Sequence, residues 1–193
     1  MSTERTSRWR RWSRRRRVAV IAAAVAVPVI IGGLLYFEPH AAFIDDEVDE
    51  PLAGLDAAAA TEPVTDASLA SARGRAAATA APVVVSSAEF ISGEHDTTGT
   101  ALVVVLPDGE VVVRLEDLDT SNGPDLRVVL SSDPASDSWE YENLTELDEL
   151  KGNIGDQNYT VDPAIDLSTV GSIVIWCDRF DVAFGAAQIA VTA

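Results

Sequence analysis

Cys177 is the only cysteine of the 193-residue chain, and it ends the apolar run Ser172–Cys177. A single thiol cannot form a disulfide within its own chain, so it is a packed hydrophobic group, a link to another molecule, or a group with redox or ligand chemistry. Arg179 lies two positions further on. In an extended chain it leans toward the same face and could stabilise a thiolate. Cys177 is thus a candidate redox centre, and Arg179 a candidate modulator.

His95 is the only histidine between residues 83 and 193. It is a candidate metal or haem ligand, a candidate proton partner of Cys177, or a turn histidine satisfied by neighbouring carboxylates. One histidine and one cysteine do not make a zinc site, which needs three or four ligands. The chain has no Cys-x-x-Cys-His motif, and its only methionine is Met1. We therefore predict no metal site, and the sequence indicates no particular cofactor.

The acidic segment Asp117–Asp125 has the composition of a calcium loop. It fails the EF-hand pattern, because its glycine comes one position late and the twelfth position is Val128 instead of glutamate. A calcium site of another kind is the minor alternative to the prediction of no metal site. The simpler interpretation is a tight turn at Asn122-Gly123-Pro124, fixed by hydrogen bonds from backbone amides to Asp125. No Gly-x-Ser-x-Gly motif occurs, so the sequence does not indicate a serine hydrolase of that kind. Whether the chain is an enzyme stays open.

Residues 83–193 have the pattern of one all-β domain, with short β-branched runs between turn signals. An antiparallel β-sandwich is the expected fold, because two sheets can each hide an apolar face. The acidic segment Ser136–Lys151 is expected to be one helical turn or an irregular loop. The strands that we predict are Phe90-Ile91, Thr100–Leu106, Val111–Leu115, Asp125–Leu130, Tyr159–Val161, Ser172–Cys177, Phe180–Phe184 and Ala187–Val191.

The alternation of side chains along a strand predicts which residues share a face. Ile173 and Ile175 are in phase with Cys177, whereas Val174 and Trp176 point to the opposite face. Both faces of this strand are apolar, which indicates a central strand. Within each of two further sets, the residues are expected to lie on one face of their own strand. These sets are Val111, Val113 and Leu115, and Phe180, Val182 and Phe184.

The N-terminal segment has the pattern of a membrane anchor. Residues 1–17 contain eight arginines and one acidic residue, and residues 18–37 contain no charge. Twenty helical residues span about 30 Å, the thickness of the hydrocarbon core of a bilayer. The positive-inside rule then keeps residues 1–17 cytoplasmic and exports the rest, giving a single-pass protein of the cell membrane. A cleaved signal peptide is the alternative, and it also exports the C-terminal part.

Residues 38–82 are expected to form a disordered stalk, because 15 of the 45 positions are alanine and nine are acidic. A short helix could form around 56–60. The chain has 14 basic and 31 acidic residues, of which eight and one lie in residues 1–17, so residues 18–193 carry a net charge of −24. Such a charge repels nucleic acid, and we expect no binding to it.

Taken together, these residues resemble the DM13 domain family, a family of extracellular electron-transfer domains. The resemblance covers about residues 88–192, and no single motif carries it. Leu118 stands where the family usually has an aromatic residue. The matching positions are Phe90, Ser92, His95, Thr98-Gly99, Val111–Glu116, Ser121–Leu126, Val128–Leu130, Leu150–Asn153, Gly155–Tyr159, Ser172–Phe180, Phe184-Gly185 and Ala187.

The resemblance implies a β-sandwich-like module that takes part in redox reactions through a cysteine, which corresponds to Cys177. His95 fits the same pattern. Because no second redox domain is present between residues 1 and 193, the electron donor or acceptor is expected to be a partner protein or a bound cofactor. The alternative is a non-enzymatic extracellular binding or adhesion module in which Cys177 is structural and buried.

Overall fold

Helix α1 (Glu4–Phe37) makes up most of the first of two units, Met1–Pro39 and His40–Ala193. The computed structural model describes residues 4–37, 44–55, 63–138 and 140–189. Within α1, residues Arg16–Tyr36 have a mean hydropathy of 2.7, so this helix is long and apolar enough to cross a membrane. The expected apolar helix is therefore present. Transmembrane anchors and signal sequences share this length and composition.

The second unit is built around a nine-stranded, mostly antiparallel sheet in the described residues. Its strand order is β1-β7-β4-β3-β2-β9-β8-β5-β6. The bounds of the strands are β1 (Glu47–Asp49), β2 (Val83–Ser92), β3 (Thr97–Val105), β4 (Val111–Thr120), β5 (Leu126–Ser131), β6 (Thr145–Glu149), β7 (Ile154–Thr160), β8 (Ser172–Cys177) and β9 (Val182–Gln188).

The sheet curls so that its two halves face each other, and strand β2 belongs to both. Residues Val83–Glu89 of β2 pair with β3, and residues Phe90–Ser92 pair with β9. One large apolar cluster lies between the halves and takes residues from strands of both. The predicted all-β, sandwich-like fold is thus confirmed. Burial of apolar side chains from both halves stabilises it, by about 25 cal/mol per Å² of apolar surface removed from water.

A second, smaller cluster covers the outer face of β5, β8 and β9. Val174 and Trp176 of β8 lie in it, together with Tyr141 from the segment between β5 and β6. The Tyr141 hydroxyl fixes that segment, since it donates to the Ser136 carbonyl (3.1 Å) and accepts from the Ser136 N–H (2.9 Å). Strand β8 is therefore buried on both faces, as the sequence predicts for a central strand.

Part of the expected stalk, residues 38–82, is folded. Strand β1 pairs with β7, and helix α2 (Asp66–Thr79) begins at the N-cap Thr65 in a reciprocal capping box with Ser68. Leu69, Ala72 and Ala76 of α2 are buried in the main cluster. Alanine supplies this helix with a thin apolar stripe, which composition alone does not distinguish from a linker. The short helix expected at 56–60 lies outside the described residues.

Three local predictions differ from the structure. The two strands predicted at Phe180–Phe184 and Ala187–Val191 are replaced, within the described residues, by the single strand β9. Phe180 lies in the preceding turn with 49% of its surface exposed, so it does not share the buried face of Phe184. Residues Thr145–Glu149 form β6 instead of a helical turn or an irregular loop, because β5 offers them a free edge to pair with.

Candidate functional site: the Cys177 turn

Cys177 is the last residue of β8 and is completely buried. It pairs with Leu126 of β5 on one side and Val182 of β9 on the other. The alternation of the strand directs its side chain into the main cluster with Ile173 and Ile175, as the sequence predicts. Apolar groups therefore surround most of the thiol.

A polar neighbour of the thiol is the turn that precedes β5. The Cys177 Sγ donates to the carbonyl oxygen of Pro124, 3.1 Å away. Asn122 shapes this turn, since its Oδ1 accepts the N–H of Gly123 at 2.8 Å. Asp125 adopts a φ of 62°, and its carbonyl oxygen accepts the N–H of Asp178 at 3.0 Å. The predicted turn is present, and we call residues 122–125 the Cys177 turn.

Asp125 acts differently from the prediction. Its carboxylate pairs with guanidinium groups instead of fixing the turn through backbone amides. Arg127 donates to Asp125 Oδ1 at 3.0 Å, and Arg179 Nη2 lies 3.9 Å from Oδ2. Arg127 is two positions from Asp125 along the chain, and the Asp178 N–H bound to the Asp125 carbonyl brings the adjacent Arg179 close to the same carboxylate. The turn itself is fixed by the Asn122 side chain and the left-handed backbone of Asp125.

Burial raises the pKa of the Cys177 thiol. The backbone N–H groups of Phe180 and Arg179 and the Arg179 charge act in the opposite direction, and the Asp125 carboxylate adds to the rise. The pKa of the thiol stays above its ordinary value, so the thiol is protonated at neutral pH. Since the thiolate is the reactive form, the closed site protects Cys177 from nucleophilic chemistry.

His95 lies in the turn between β2 and β3 and is half-buried. Its ring packs against Phe184 of β9, with the ring centroids 3.9 Å apart and the planes at 41°. Phe184 also reaches the Cys177 turn: a Cβ added to Gly123 would lie 3.0 Å from the Phe184 Cζ. An aromatic ring therefore connects His95 to the turn that accepts the hydrogen bond of Cys177.

Two buried threonines complete the site, and the sequence analysis did not single them out. Thr97 Oγ1 lies 2.8 Å from Thr120 Oγ1 and donates to the Phe184 carbonyl at 3.0 Å. A Cβ on Gly185 would lie 2.6 Å from the Cβ of Thr97, so only glycine allows this approach. The Phe184-Gly185 pair, which is part of the family resemblance, was the signal in the sequence that could have pointed to this contact. The sequence does not show that Thr97 lies opposite Gly185, so the reason for the glycine could not be read from it.

The acidic segment 117–125 is not a single loop. Asp117 and Asp119 belong to β4, where the Asp117 N–H donates to Asp156 Oδ1 at 2.9 Å. In the described ranges, no group of three or more His, Cys, Asp or Glu side chains is placed to hold a metal ion. Calcium binding by this segment therefore receives no support from the described side chains.

Comparison with protein-family models gives a match to the family described as "Electron transfer DM13" over residues 89–189. Comparisons with curated proteins and with solved structures give no significant match. The matched range begins within β2 and contains the complete Cys177 turn, Cys177, Phe184 and His95. The matched range covers more than half of the chain, and the matched family is one of electron-transfer-related domains. The chain thus belongs to the electron transfer DM13 family.

Proposed function

We propose that this chain is a membrane-anchored, extracytoplasmic electron-transfer module in which Cys177 is the redox-active group. Family membership supports an electron-transfer role. The apolar stretch Arg16–Tyr36 supports an anchor, and the arginines of residues 1–17 favour a cytoplasmic N-terminus. The domains would then be the cytoplasmic tail 1–17, the membrane helix 18–37, the connecting segment 38–82 and the β domain 83–193.

One observation carries the assignment to Cys177: segments of the family-matched range that are far apart in sequence meet around the turn that accepts the hydrogen bond of its thiol. Pro124 accepts its hydrogen bond, and Gly123 of the same turn contacts Phe184. Phe184 in turn holds His95. A thiol needed only to fill space would not require a glycine-proline turn with its own aromatic support. His95 and Arg179 then modulate the reactivity of Cys177. His95 acts through the ring of Phe184, and Arg179 acts through the charge of Asp125.

The closed site implies a gated reaction. Because Cys177 is buried and its thiol is protonated at neutral pH, reaction requires the following turn, residues 178–181, to open. Asp181 in this turn has a φ of 59°, a backbone conformation that costs free energy for a residue other than glycine. The electrons are exchanged with a partner protein that opens or contacts this turn.

The experiment uses the full chain, purified in detergent and treated with glutathione disulfide as the probe. The Cys177 sulfur forms a bond to one glutathione sulfur, the glutathione S–S bond breaks, and the second glutathione leaves as a thiol. We expect intact-mass measurements to show this adduct on the folded chain and its reversal by dithiothreitol. Adduct formation should be slower in Arg179→Gln, which loses a charge that lowers the pKa of the thiol, and faster in turn-destabilised variants. An absorption spectrum and metal analysis of the same preparation show whether a cofactor accompanies the domain.

Cys177→Ser is the control, since it keeps a hydroxyl that can donate to Pro124. We expect it to melt as a folded protein, to form no adduct and to lose electron exchange with the partner. Retained electron transfer in a folded Cys177→Ser variant would contradict the proposal.

A second candidate function is a binding or adhesion module with a structural cysteine. The complete burial of Cys177 favours it. In that case the thiol reacts with glutathione disulfide or maleimide only at the rate of global unfolding, so that urea dependence of labelling equals that of unfolding. If the thiol is instead labelled through local opening, the labelling rate depends much less on urea than global unfolding does, and this result favours the redox module.

A further inference from the structure

Strand β1 lies at the outer edge of β7 and runs parallel to it, with Val48 opposite Gly155. The Ile154 N–H donates to the Asp46 carbonyl at 3.3 Å, and the Glu50 N–H donates to the Asp156 carbonyl at 2.8 Å. A parallel pairing of three residues is too short to persist on backbone hydrogen bonds alone. Side chains of the domain must therefore hold this segment.

Two amide side chains bind the beginning of the segment. Asn153 Oδ1 accepts the Asp46 N–H at 2.7 Å, and its Nδ2 donates to the Asp45 carboxylate at 3.0 Å. Asn122 Nδ2 donates to the Ile44 carbonyl at 2.8 Å and to Asp46 Oδ2 at 3.1 Å. These amides therefore recognise both an extended backbone and its carboxylates.

A second set of donors binds the end of the segment. Lys151 Nζ lies 2.8 and 2.9 Å from the two carboxylate oxygens of Glu50, and the Asn158 N–H donates to Oε2 at 2.8 Å. The buried Arg114 donates through Nη1 to the Glu50 carbonyl at 2.9 Å. Glu50 is thus held by three donors, each at hydrogen-bond distance and two of them charged.

Two glycines allow the close approach. A Cβ at Gly152 would overlap the Asp46 carbonyl oxygen, and a Cβ at Gly155 would overlap that of Val48. Gly155 also has a φ of +100°, which side chains disfavour. The edge is therefore shaped for a strand, and we call Asn122, Lys151–Asn153 and Gly155–Asn158 the β7 edge site.

The β7 edge site lies wholly within the family-matched residues 89–189, whereas the bound segment 44–50 lies outside them. The surface is thus part of the module, and its occupant comes from the flanking chain. We propose that the β7 edge site is a binding site for an extended acidic peptide strand, and that residues 44–50 are its ligand within the chain. This assignment is independent of the redox role of Cys177.

Charge and spacing define the ligand. Five of the seven residues 44–50 are acidic. Asp46 and Glu50 are four positions apart, so in a strand they point to the same side, toward the donors of the site. Glu47 and Asp49 are exposed on the opposite side. The ligand is a strand with acidic groups at those two positions, bound by β-augmentation, and a third carboxylate, that of Asp45, is held by Asn153 where the strand begins.

The test separates the strand from its domain without removing either. In the full chain with an N-terminal affinity tag, a protease site replaces residues 56–62, and the protein is cleaved in detergent at micromolar concentration. We expect the C-terminal fragment to remain on the affinity resin after complete cleavage. A synthetic peptide of residues 43–52, added in excess, should displace it.

Glu50→Ala and Asp49→Ala form the matched pair, since each removes one negative charge from the segment. Loss of charged hydrogen bonds should weaken retention on the order of tenfold in Glu50→Ala and leave Asp49→Ala unchanged. Melting of the uncleaved variants shows that both are folded. Release of the wild-type fragment, or equal behaviour of the two variants, overturns the proposal. Capture of a differently tagged second copy would assign the site to strand exchange between copies and overturn the assignment within one chain.

Discussion

The Sγ of Cys177 and the carbonyl oxygen of Pro124, 3.1 Å apart, join the end of β8 to the turn that precedes β5. This hydrogen bond occupies the only proton of the thiol and fixes the sulfur under the turn. Burial then keeps the thiol neutral, because an ion in apolar surroundings is costly. The reactivity of Cys177 is therefore controlled by whether the Cys177 turn and residues 178–181 stay closed.

The first prediction concerns the pH dependence of thiol labelling and stability. Labelling of the native chain by maleimide near neutral pH should be on the order of a hundredfold slower than labelling in urea. The pKa of the thiol is higher in the folded chain than in the unfolded chain, so the neutral thiol favours the folded state. This contribution to stability is fully present below the ordinary cysteine pKa of about 8.5. That contribution is lost as the pH rises above this value, since the unfolded chain then loses the proton first.

Urea unfolding of wild type and Cys177→Ser at about pH 7 and about pH 10 measures this effect, because the other titrating groups cancel in the comparison. The stability advantage of wild type should shrink at the higher pH. An advantage that grows with pH would contradict a raised pKa.

The second prediction concerns the close approach of Gly185 to Thr97. Gly185→Ala should lower the free energy of unfolding by about 1–3 kcal/mol, because its Cβ would lie 2.6 Å from the Thr97 Cβ. Gly74→Ala in α2 is the control: nothing lies within 4 Å of its added Cβ, and alanine should stabilise the helix by up to about 1 kcal/mol. Chemical denaturation measures both, and a neutral Gly185→Ala would show that this approach is not tight.

The third prediction concerns the ring of His95 beside Phe184. His95→Phe keeps an aromatic contact and should leave the free energy of unfolding within about 0.5 kcal/mol of wild type, whereas His95→Ala should lower it by about 0.5–1.5 kcal/mol. If the imidazole itself serves Cys177, His95→Phe should also change the pH profile of adduct formation with glutathione disulfide. Identical profiles would limit His95 to packing.

The fourth prediction concerns acid release of the strand from the β7 edge site. Burial acts to raise the pKa of Glu50, but hydrogen bonds from Lys151 and Asn158 outweigh it and lower that pKa below 4.5. The carboxylate therefore strengthens strand binding fully above its ordinary pKa, and this contribution is lost as the pH falls through the lowered value. Retention of the cleaved fragment should fall in that acidic range.

Glu50→Gln is the control for this acid release, because it keeps the shape of the side chain without its charge. Its retention should be weaker at neutral pH and less dependent on acid. Equal acid dependence in Glu50→Gln and wild type would assign the release to other carboxylates.

The sequence by itself determined the apolar N-terminal helix, the all-β class of the domain, the double-sided burial of β8 and the turn at 122–125. Each depends on a local pattern: an uncharged run, an alternation of two, or a turn dipeptide. The same patterns misjudged β6 and Phe180, because strand pairing and turn geometry depend on neighbours distant in the chain.

Only the tertiary structure decided what those residues face. It placed Pro124 against Cys177, Thr97 against Gly185, and residues 44–50 against β7, although composition alone predicted a disordered stalk for that segment. Short acidic or alanine-rich segments bury too little apolar surface to fold alone. Residues 44–50 are ordered by donors and glycines at least 64 residues away, and helix α2 is ordered by burial of its apolar stripe in the main cluster. The composition of these segments does not show such contacts.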